Sequence, residues 1–302
     1  MVTVIADNPA VESCINEILA LTREAGAEFA AGLVLRAEKG NMRAEAAAAD
    51  GKLLVRMPES CLIPPADFLF GLDDGDNLLA EPEGGVTRLR ARLMQLMLEL
   101  FNLTGKIARH RHSLPWWLAA EHPEILPLIL NLRDNEVVRA YADAARAGPD
   151  NTFTIETFFL SRTLVLKKDD KTPPIRVLMP VVDFMNHHHK GSPYSTISDA
   201  KGFGLAMLNR QPVAGSAECF ARYGDHDTLT SWQHFGFVSE YAPASPANAD
   251  RAAYAELRTM LAGLKVKHPG LAEARDIALR LCDLQLTRID AGTDAPARKT
   301  DP

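Results

Sequence analysis

The sequence predicts an α+β fold in which blocks of short strands alternate with blocks of helices. Runs of β character occur within residues 32–57 and again within residues 175–222. Apolar residues recur at helical spacing in the block that follows each of them, residues 86–148 and the stretch beyond Pro246. Strands that are gathered in blocks, rather than each followed by one helix, indicate an α+β architecture with small sheets.

The first block begins with a helix and continues with two strands. Asn8 and Pro9 form a good helix start, because an asparagine side chain caps the first turn and proline is tolerated at the first helical position. Gly26 is suited to end that helix. Two strands and an alanine-rich link between them are then predicted, at residues 32–35, 52–57 and 44–49 respectively.

The later elements follow from spacing in the same way. Leu89, Leu93 and Leu96 share one face of a predicted helix. Val138 and Tyr141 share one face of a second predicted helix. Further strands are predicted at residues 175–179, 203–208 and 218–222. Further helices are predicted around Phe158, from a cap at Asp227 to Phe235, and at residues 252–264 and 271–289. The polar tail, residues 290–302, is predicted to be disordered.

Length, charge and cysteine usage narrow the function classes. The 302 residues suffice for one or two domains. The net charge of −6 argues against nucleic acid as a partner and suits a basic substrate, such as a lysine-bearing peptide. Four scattered cysteines indicate buried thiols in a reducing compartment. With no signal-peptide pattern and no apolar run of the ~18 residues that span a bilayer, we expect a cytoplasmic protein without a membrane partner. The oligomeric state is left open.

Two segments carry the functional signal. Residues 180–187 read PVVDFMNH, and residues 223–238 read YGDHDTLTSWQHFGFV. In this order they resemble two signature segments of SET-domain protein methyltransferases, P-x-x-D-x-x-N-H and Y-G-x-x-S-N-x-x-L-L-x-x-Y-G-F-V. The resemblance is to the subgroup that includes the Rubisco large-subunit methyltransferase and the actin-histidine methyltransferase. The spacing of the second segment is kept residue for residue.

The resemblance implies a SET-domain β-fold of short strands, with a helical insertion and a small helical C-terminal region. Residues 1–85 would hold the N-terminal helix and the first part of the SET core, and residues 86–150 the insertion. Residues 151–241 would hold the second part of the core, with the cofactor and catalytic segments. Residues 242–302 would form the helical region and its tail. The implied activity is methylation of lysine, or of histidine, in a protein substrate, with S-adenosyl-L-methionine as cofactor.

The resemblance gives the catalytic role to Tyr223, whose hydroxyl in that family lies where cofactor and target amine meet. Methyl transfer from a sulfonium is an in-line displacement, so the amine must be held about 3–3.5 Å from the methyl carbon. A lysine amine, with a pKa of about 10.4, must first lose its proton. A dry channel beside a cationic sulfonium favours the neutral amine. Taken alone, Tyr223 also suits a strand end that packs its ring in the core.

Six residues are implied to bind the cofactor, and Phe237 of the second segment is one of them. Asn186 would contact its amino-acid end through the side chain, and His187 would contact the adenine largely through the backbone. Arg162 would pair with the cofactor carboxylate. Gly32 and Leu33 stand in the turn where the backbone approaches the cofactor closely. Taken alone, the asparagine would equally suit an ordinary turn.

The end of the second segment is implied to line the site. Phe237 matches the phenylalanine near the adenine and the channel wall, and Phe235 stands in the channel where the family has a tyrosine. Ala30 replaces the first glycine of the family's G-x-G-L turn, and Thr228 replaces the asparagine expected after the tyrosine and glycine. These departures leave a second hypothesis open, a non-catalytic SET-fold binding module with a degenerate cofactor site.

A third hypothesis is a metal-dependent hydrolase built on a group of histidines and aspartates. All are metal-ligand types close in sequence: Asp183, His187, His188, His189, Asp225, His226 and Asp227. Their spacing matches no standard metal motif, and such residues in loops usually act as solvated or capping groups. We therefore expect no metal.

Overall fold

The chain has a mixed α+β architecture with many helices and with short strands in small sheets, which confirms the predicted class. The computed structural model describes residues 1–47, 51–168, 171–243, 245 and 251–292. Across these residues, no helix combines the length and the apolar character that crossing a bilayer requires.

The chain forms two compact units, and each is built from two separate stretches. Unit 1 comprises Met1–Ile107 and Phe158–Asp225. Unit 2 comprises Ala108–Thr157 and His226–Pro302. The limits differ from those of the four segments predicted above, which remain a hypothesis about domain organisation.

The strands of the described residues lie in unit 1. They are β1 (Thr3–Ala6), β2 (Glu28–Phe29), β3 (Val34–Glu38), β4 (Asn41–Glu45), β5 (Leu53–Pro58), β6 (Phe68–Leu72), β7 (Leu78–Pro82), β8 (Leu164–Leu166), β9 (Ile175–Val177), β10 (His187–Ser192), β11 (Tyr194–Asp199), β12 (Gly202–Leu208) and β13 (Glu218–Cys219). One sheet has the order β1-β3-β4-β13 and another the order β11-β12-β5-β2. Two hairpins, β6-β7 and β8-β9, stand apart from them.

The helices are distributed over both units. They are α1 (Pro9–Glu24), α2 (Arg88–Leu103), α3 (Lys106–Ser113), α4 (Pro115–Glu121), α5 (Leu126–Leu132), α6 (Glu136–Ala147), α7 (Asn151–Leu160), α8 (Thr228–Phe235), α9 (Arg251–Gly263) and α10 (Pro269–Asp290). Two of the three limits between the units fall within α3 and α7, and the third falls between Asp225 and His226. In unit 2, α4 to α6 pack with α8 to α10 around a core that includes Trp116, Trp232 and Tyr254.

Helix α2 belongs to unit 1, although its residues fall in the predicted insertion. Its apolar stripe packs against α1, where the Cys14 thiol donates a hydrogen bond to the carbonyl oxygen of Leu96 (3.1 Å). Leu93 and Leu96 of this stripe are buried. The helical periodicity was therefore sound, but periodicity alone does not say which partner the stripe faces.

The predicted alanine-rich link was wrong at its start, because Ala44 lies in strand β4. A tight turn makes this strand possible: Lys39 and Gly40 both have positive φ, 51° and 73°, which is the geometry of a two-residue hairpin connection. β4 pairs antiparallel with β3 through this turn. Residues 48–50, at the end of the predicted link, lie outside the described residues.

Other predicted elements are met with shifted limits. The strand expected from residue 32 begins at Val34, because Gly32 is in a turn with φ +74°. The strand expected at residues 218–222 ends at Cys219. The helix expected from Asp227 is confirmed: the Asp227 carboxylate accepts a hydrogen bond from the Thr230 amide (2.7 Å) and caps α8. Most of the predicted disordered tail, residues 293–302, lies outside the described residues.

Candidate functional site

The first signature segment and the residues leading to Tyr223 cross each other within unit 1. The amide of Ala221 donates to the carbonyl of Asn186 (2.9 Å), and the amide of Ser192 donates to that of Phe220 (2.8 Å). The amide of Arg222 donates in turn to the carbonyl of Ser192 (2.8 Å). Three hydrogen bonds within so short a stretch fix the backbone of one segment against the other.

A glycine makes this crossing possible. A Cβ atom at Gly191 would lie 2.8 Å from the carbonyl oxygen of Phe220 and 2.9 Å from the carbonyl carbon of Ala221. Both neighbours are backbone atoms of the crossing strand, so no side-chain movement could relieve the overlap. Gly191 is therefore required by close backbone approach rather than by an unusual φ angle.

The segment that leads into the crossing contains a residue with a strained backbone conformation. Val181 has φ 70° and ψ −43°, a left-handed conformation that a β-branched residue rarely adopts, and its side chain is fully buried. Such a conformation costs on the order of 1–3 kcal/mol and persists only where its surroundings impose it. It precedes the short 3₁₀ turn Val182–Phe184, which leads into Asn186 and His187.

Tyr223 lies directly beside the first signature segment. Its hydroxyl donates a hydrogen bond to the carbonyl oxygen of Met185 (2.7 Å), and its amide donates to Nδ1 of His187 (3.1 Å). The rings of Tyr223 and His187 have centroids 5.1 Å apart. Burial, and then the negative charge of Asp183, raise the pKa of the Tyr223 hydroxyl above its ordinary value, against a smaller opposing effect of Arg162. The phenol is therefore neutral at physiological pH and remains a donor.

Arg162 is held by an internal partner. Its Nη1 donates to both carboxylate oxygens of Asp183, each at 2.9 Å, and the Asp183 side chain is only 3% exposed. The guanidinium carbon also lies 4.6 Å from the ring centroid of Phe158 and 5.1 Å from that of Phe101. Within the described part of the chain, the buried Nε of Arg162 makes no hydrogen bond. The sequence assigned this guanidinium to a cofactor carboxylate, whereas its Nη1 is already bound to Asp183.

Asn186 is bonded to the edge strand of the sheet whose inner strand β3 follows the Gly32 turn. The Asn186 amide nitrogen donates to Oε1 of Glu218 in β13 (2.7 Å). Glu218 pairs with Glu45 in β4, and Glu45 pairs with Val34 in β3, two residues after Gly32. Neighbouring strands are about 4.8 Å apart, so this row spans roughly 10 Å. The sheet thus links the strand after the Gly32 turn to the strand that Asn186 contacts.

The Gly32 turn has room for a ligand beside its backbone. Gly32 is exposed, and a Cβ atom added there would meet nothing within 4 Å. The Leu33 side chain is fully buried. The Leu33 side chain therefore belongs to the core, and its backbone carbonyl accepts from the amide of Thr3 (2.9 Å). Ala30 keeps the turn in place, because its amide donates to the carbonyl of Leu54 (2.8 Å) and its carbonyl accepts from Leu33 (3.3 Å).

The second half of the longer signature segment belongs to unit 2. Phe235 is the last residue of α8, and its ring lies 5.0 Å from that of His226 and 6.0 Å from that of Phe237. Gly236 separates the two phenylalanines and ends the helix in the left-handed conformation, with φ 70°. The predicted site residues thus divide: Tyr223 and the cofactor positions before it fall in unit 1, and the two phenylalanines fall in unit 2.

Thr228, which stands where the family has an asparagine, has a structural role in unit 2. Its side chain is fully buried, donates to the carbonyl of Pro243 (3.2 Å) and accepts from Nη1 of Arg288 (2.9 Å). Nearby, Nη2 of Arg133 donates to the carboxylate of Asp227 (2.5 Å). The start of α8 is therefore fixed by two arginines as well as by its cap.

His234, also in α8, is held neutral. Burial lowers its pKa to about 4, assisted by the positive charges of His226 and Arg133 and opposed by Asp227. Its ring lies 5.5 Å from that of Tyr141 in an edge-to-face arrangement. The sequence did not single out this histidine, and no spacing pattern distinguishes it from its neighbours.

The histidines and aspartates proposed as metal ligands are engaged in other ways. Among the described residues, no group of three or more His, Cys, Asp or Glu side chains is arranged to hold a metal ion. Asp183 and Asp227 each bind an arginine, and the rings of His188 and His189 stack on each other at 4.7 Å. Burial lowers the pKa of both histidines. This arrangement gives the metal-dependent hydrolase hypothesis no ligand set in the described chain.

Three contributors to the site were missed in the sequence. The Met185 carbonyl that accepts from Tyr223 is a backbone group and leaves no trace in residue type. Phe158 lies four residues before Arg162, so helical spacing could have indicated its contact with the guanidinium. Phe101 is distant in sequence, and no local signal could have found it.

Neither a protein-family model nor a curated protein matches the chain significantly. Thirteen chains of solved structures do match. One is the SET domain of LSMT, solved with lysine and AdoHcy bound, at 11% sequence identity and a TM-score of 0.44. The match covers 95% of this chain and 77% of that one. The similarity concerns the course of the chain at low identity, and nothing about activity follows from it.

Proposed function

We propose that this protein is an S-adenosylmethionine-dependent methyltransferase of SET type that methylates a side-chain nitrogen of a protein, with lysine as the target residue. One observation carries the proposal. The crossing in unit 1 brings the hydroxyl of Tyr223 to the carbonyl of Met185, directly before Asn186 and His187. Residues that the sequence links to catalysis and to cofactor binding, about forty positions apart, therefore converge in one place.

Tyr223 would orient the reacting groups rather than act as a base. Its hydroxyl proton is engaged with the Met185 carbonyl, and its raised pKa keeps the phenol neutral. The phenol oxygen still has acceptor capacity, which suits polarised C–H and N–H groups. The target amine must arrive neutral, and water can take its proton. A fixed hydroxyl beside a fixed carbonyl is a preorganised polar surface of the kind that lowers a barrier without rearranging during the reaction.

The residues of unit 1 fit a ligand with a carboxylate and an amino-acid end. S-adenosylmethionine supplies, when bound, a methyl group on a cationic sulfonium. The Arg162 guanidinium is 18% exposed, and its positive charge suits a carboxylate. Asn186, which is bonded to β13, and the open Gly32 turn before β3 both offer polar groups on the same unit. In the proposal, these three positions hold the cofactor and Tyr223 faces the amine.

A second candidate is a binding module that keeps the fold without catalysis. One observation favours it: Asp183 already neutralises Arg162, the residue that resemblance gives to the cofactor. Ala30 and Thr228 also depart from the family pattern, and both departures favour the binding module. Calorimetry separates the two candidates. The enzyme should bind both S-adenosylmethionine and its demethylated product, whereas a module with a degenerate site binds neither.

The decisive experiment combines a methyl-labelled cofactor, a cell extract and one variant. Tyr223→Phe removes the orienting hydroxyl, so we expect methyl transfer to fall by about a hundredfold or more. Its cofactor affinity should stay within about twofold, because the phenol is not assigned to cofactor binding. Tyr194→Phe, in strand β11 of the same unit, is the matched control and should keep full activity.

The labelled protein is identified from the extract and digested to locate the methylated side chain. Equal transfer by wild type and Tyr223→Phe would remove this tyrosine from the mechanism. Absence of calorimetric binding to cofactor and product would exclude the enzyme and leave the binding module.

A further inference from the structure

Unit 1 contains a strongly acidic segment that the proposed reaction does not use. From Glu59 to Thr87 the sequence has seven aspartates and glutamates and neither lysine nor arginine. This segment therefore carries a formal charge of −7, whereas the whole chain carries −6. The remainder of the chain is close to neutral, so the net negative charge of this protein comes from one short stretch.

Most of that stretch is the hairpin of β6 and β7, which is fixed to unit 1 by its inner face. Phe68 and Leu78 are buried, and the ring of Phe70 lies 4.3 Å from that of Phe159. The side chain of Asn102 in α2 accepts from the amide of Leu78 (2.9 Å) and donates to its carbonyl (3.1 Å). The hairpin is therefore a rigid platform rather than a loose loop.

The turn of the hairpin is also ordered by its own hydrogen bonds. The Asp73 carboxylate accepts from the amides of Gly75 and Asn77, both at 2.8 Å, and from the Asn77 side chain (3.0 Å). These bonds lower the pKa of Asp73, those of Asn77 having the largest effect. Asp73 is therefore ionised at physiological pH. Asp74 and Asp76, in the same turn, are exposed.

The outer face of the hairpin is apolar with an open notch at its centre. Leu69 is 61% exposed and Leu79 is 52% exposed. The register pairs Leu69 with Glu81 and Gly71 with Leu79, so these four residues share one face of the two-stranded sheet. A Cβ atom added at Gly71 would meet nothing within 4 Å, which leaves space between the two leucines.

We propose that this face, formed by Leu69, Gly71, Leu79 and Glu81 and here named the hairpin face, docks a basic segment of the protein substrate. An aliphatic side chain of that segment would enter the notch at Gly71, between the leucines. The lysines or arginines of that segment would contact Glu81, Glu83 and the exposed aspartates of the hairpin turn. The identification of the partner as substrate rests on the proposed methyltransferase function.

Charge complementarity selects this occupant over a second copy of the chain. Two copies joined through their hairpin faces would bring together two segments of charge −7, and like charges oppose such contact. A basic partner instead gains from the same charges, first in the rate of encounter and then in the bound state. Exposed leucines beside charged side chains are the usual composition of a small docking surface, with an apolar centre and a polar rim.

The test measures binding of two labelled peptides to the full chain by fluorescence anisotropy. One peptide alternates lysine and leucine, and the other alternates lysine and serine. The triple variant Asp74→Lys, Glu81→Lys, Glu83→Lys reverses the rim. The matched control reverses three exposed acids elsewhere, Glu24→Lys, Glu256→Lys and Glu273→Lys, and has the same net charge. We expect the rim variant to weaken lysine–leucine binding by about tenfold or more, and the control by less than about threefold.

A second variant tests the notch without changing charge. Gly71→Val fills the open space, and Gly71 has no left-handed backbone that would be strained by the change. It should weaken the lysine–leucine peptide several-fold while leaving a lysine–serine peptide unaffected. Equal weakening by the rim variant and the control would overturn the proposal, because binding would then depend on net charge alone.

Cofactor calorimetry on the same variants keeps this result separate from the proposed function. Selective loss of peptide binding supports the hairpin face whether or not S-adenosylmethionine binds. If the cofactor binds normally but neither the rim variant nor Gly71→Val affects the peptide, the hairpin face is not the docking surface and the methyltransferase proposal is untouched. If wild type does not bind the cofactor, the methyltransferase proposal fails on its own.

Discussion

Each unit contains an arginine–aspartate pair beside the signature residues, and the two pairs are built differently. Arg162 with Asp183 in unit 1 and Arg133 with Asp227 in unit 2 have equally exposed arginines, at 18%. Asp183 is 3% exposed and Asp227 is 13% exposed. Asp183 turns both oxygens to Nη1 of Arg162, whereas Asp227 also accepts from the Thr230 amide as the cap of α8.

The difference shows how one interaction can carry different weights. In unit 1 a buried aspartate provides the negative charge next to a half-buried cation, which lies over two phenylalanine rings. Removing that charge leaves the guanidinium uncompensated at low dielectric. In unit 2 the aspartate has a second task that a neutral side chain can also perform, since asparagine caps a helix about as well as aspartate. The same substitution should therefore separate the two pairs.

The largest stability effect is expected for Asp183→Asn compared with Asp227→Asn. The first should lower the free energy of unfolding by about 3–5 kcal/mol, because it breaks a buried pair. The second should cost only about 1–2 kcal/mol, since the cap is kept and the pair is more exposed. Urea unfolding gives both values. Equal costs would show that the burial of Asp183 does not govern the strength of its pair.

The chain offers a separate reporter for each unit. All three tryptophans, Trp116, Trp117 and Trp232, lie in unit 2, so their fluorescence follows that unit. Cys14, Cys61 and Cys219 are buried in unit 1 and Cys282 is buried in unit 2, so in a Cys282→Ala background the reaction of the remaining thiols follows unit 1. Burial raises the pKa of these thiols, to about 12 for Cys14 and about 11 for Cys61 and Cys219, which keeps them unreactive while the unit is folded.

The same contrast decides what could be predicted from the sequence. In unit 2, Asp227 and Gly236 are helix-end signals that act within a few residues, so α8 was predicted with its cap and its end. The partner of Arg162 lies 21 residues away, and the sequence assigned that arginine to the cofactor instead. Helix-end signals act locally and can be predicted from the sequence. Whether an arginine pairs with a residue of the chain or with a ligand depends on tertiary packing.

Only the resemblance of the two segments to a known family indicated that they belong to one site. Nothing in the local pattern near Gly191 predicts that a second segment passes within contact of its backbone. The left-handed Val181 contradicts its own propensity, because β-branched residues avoid positive φ. A propensity-based interpretation fails at such a residue for a physical reason: the surrounding structure imposes the conformation. Strand β4 escaped prediction through its Lys39-Gly40 turn, in which lysine adopts a conformation unusual for it.

A smaller effect is expected from two glycines that share a backbone conformation but not their surroundings. Gly236 in unit 2 has φ 70°, and a Cβ atom there would lie 2.4 Å from Oγ and 2.8 Å from the backbone carbon of Ser113. Gly32 in unit 1 has φ 74° and open space. Gly236→Ala combines left-handed strain with overlap and should cost about 2–4 kcal/mol. Gly32→Ala has the strain alone and should cost about 1 kcal/mol.

Tryptophan fluorescence follows the loss at Gly236, and thiol reaction follows the loss at Gly32, both in urea. A Gly32→Ala cost as large as that of Gly236→Ala would mean that the conformation, rather than the contact with Ser113, dominates at both positions. Gly32→Ala also reports on the proposed cofactor turn, where a reduced affinity without a large stability loss is expected.

The smallest effect is a dependence of unit 2 on pH. The folded pKa of His234 is about 4, below the ordinary value of 6.5, because burial disfavours the charged ring. Between these two pH values the unfolded chain binds a proton that the folded chain does not, so the free energy of unfolding falls as the pH is lowered from 6.5 towards 4. The loss should amount to about 1–3 kcal/mol. Above pH 6.5 this contribution is constant.

His234→Phe removes the titrating group and retains an aromatic ring against Tyr141, which lies 5.5 Å away in the wild type. Urea unfolding followed by tryptophan fluorescence at pH 7 and near pH 4.5 compares the two proteins. The variant should lose less stability on acidification than the wild type, by about 1–3 kcal/mol. An identical loss in both would assign the acid sensitivity of unit 2 to its carboxylates.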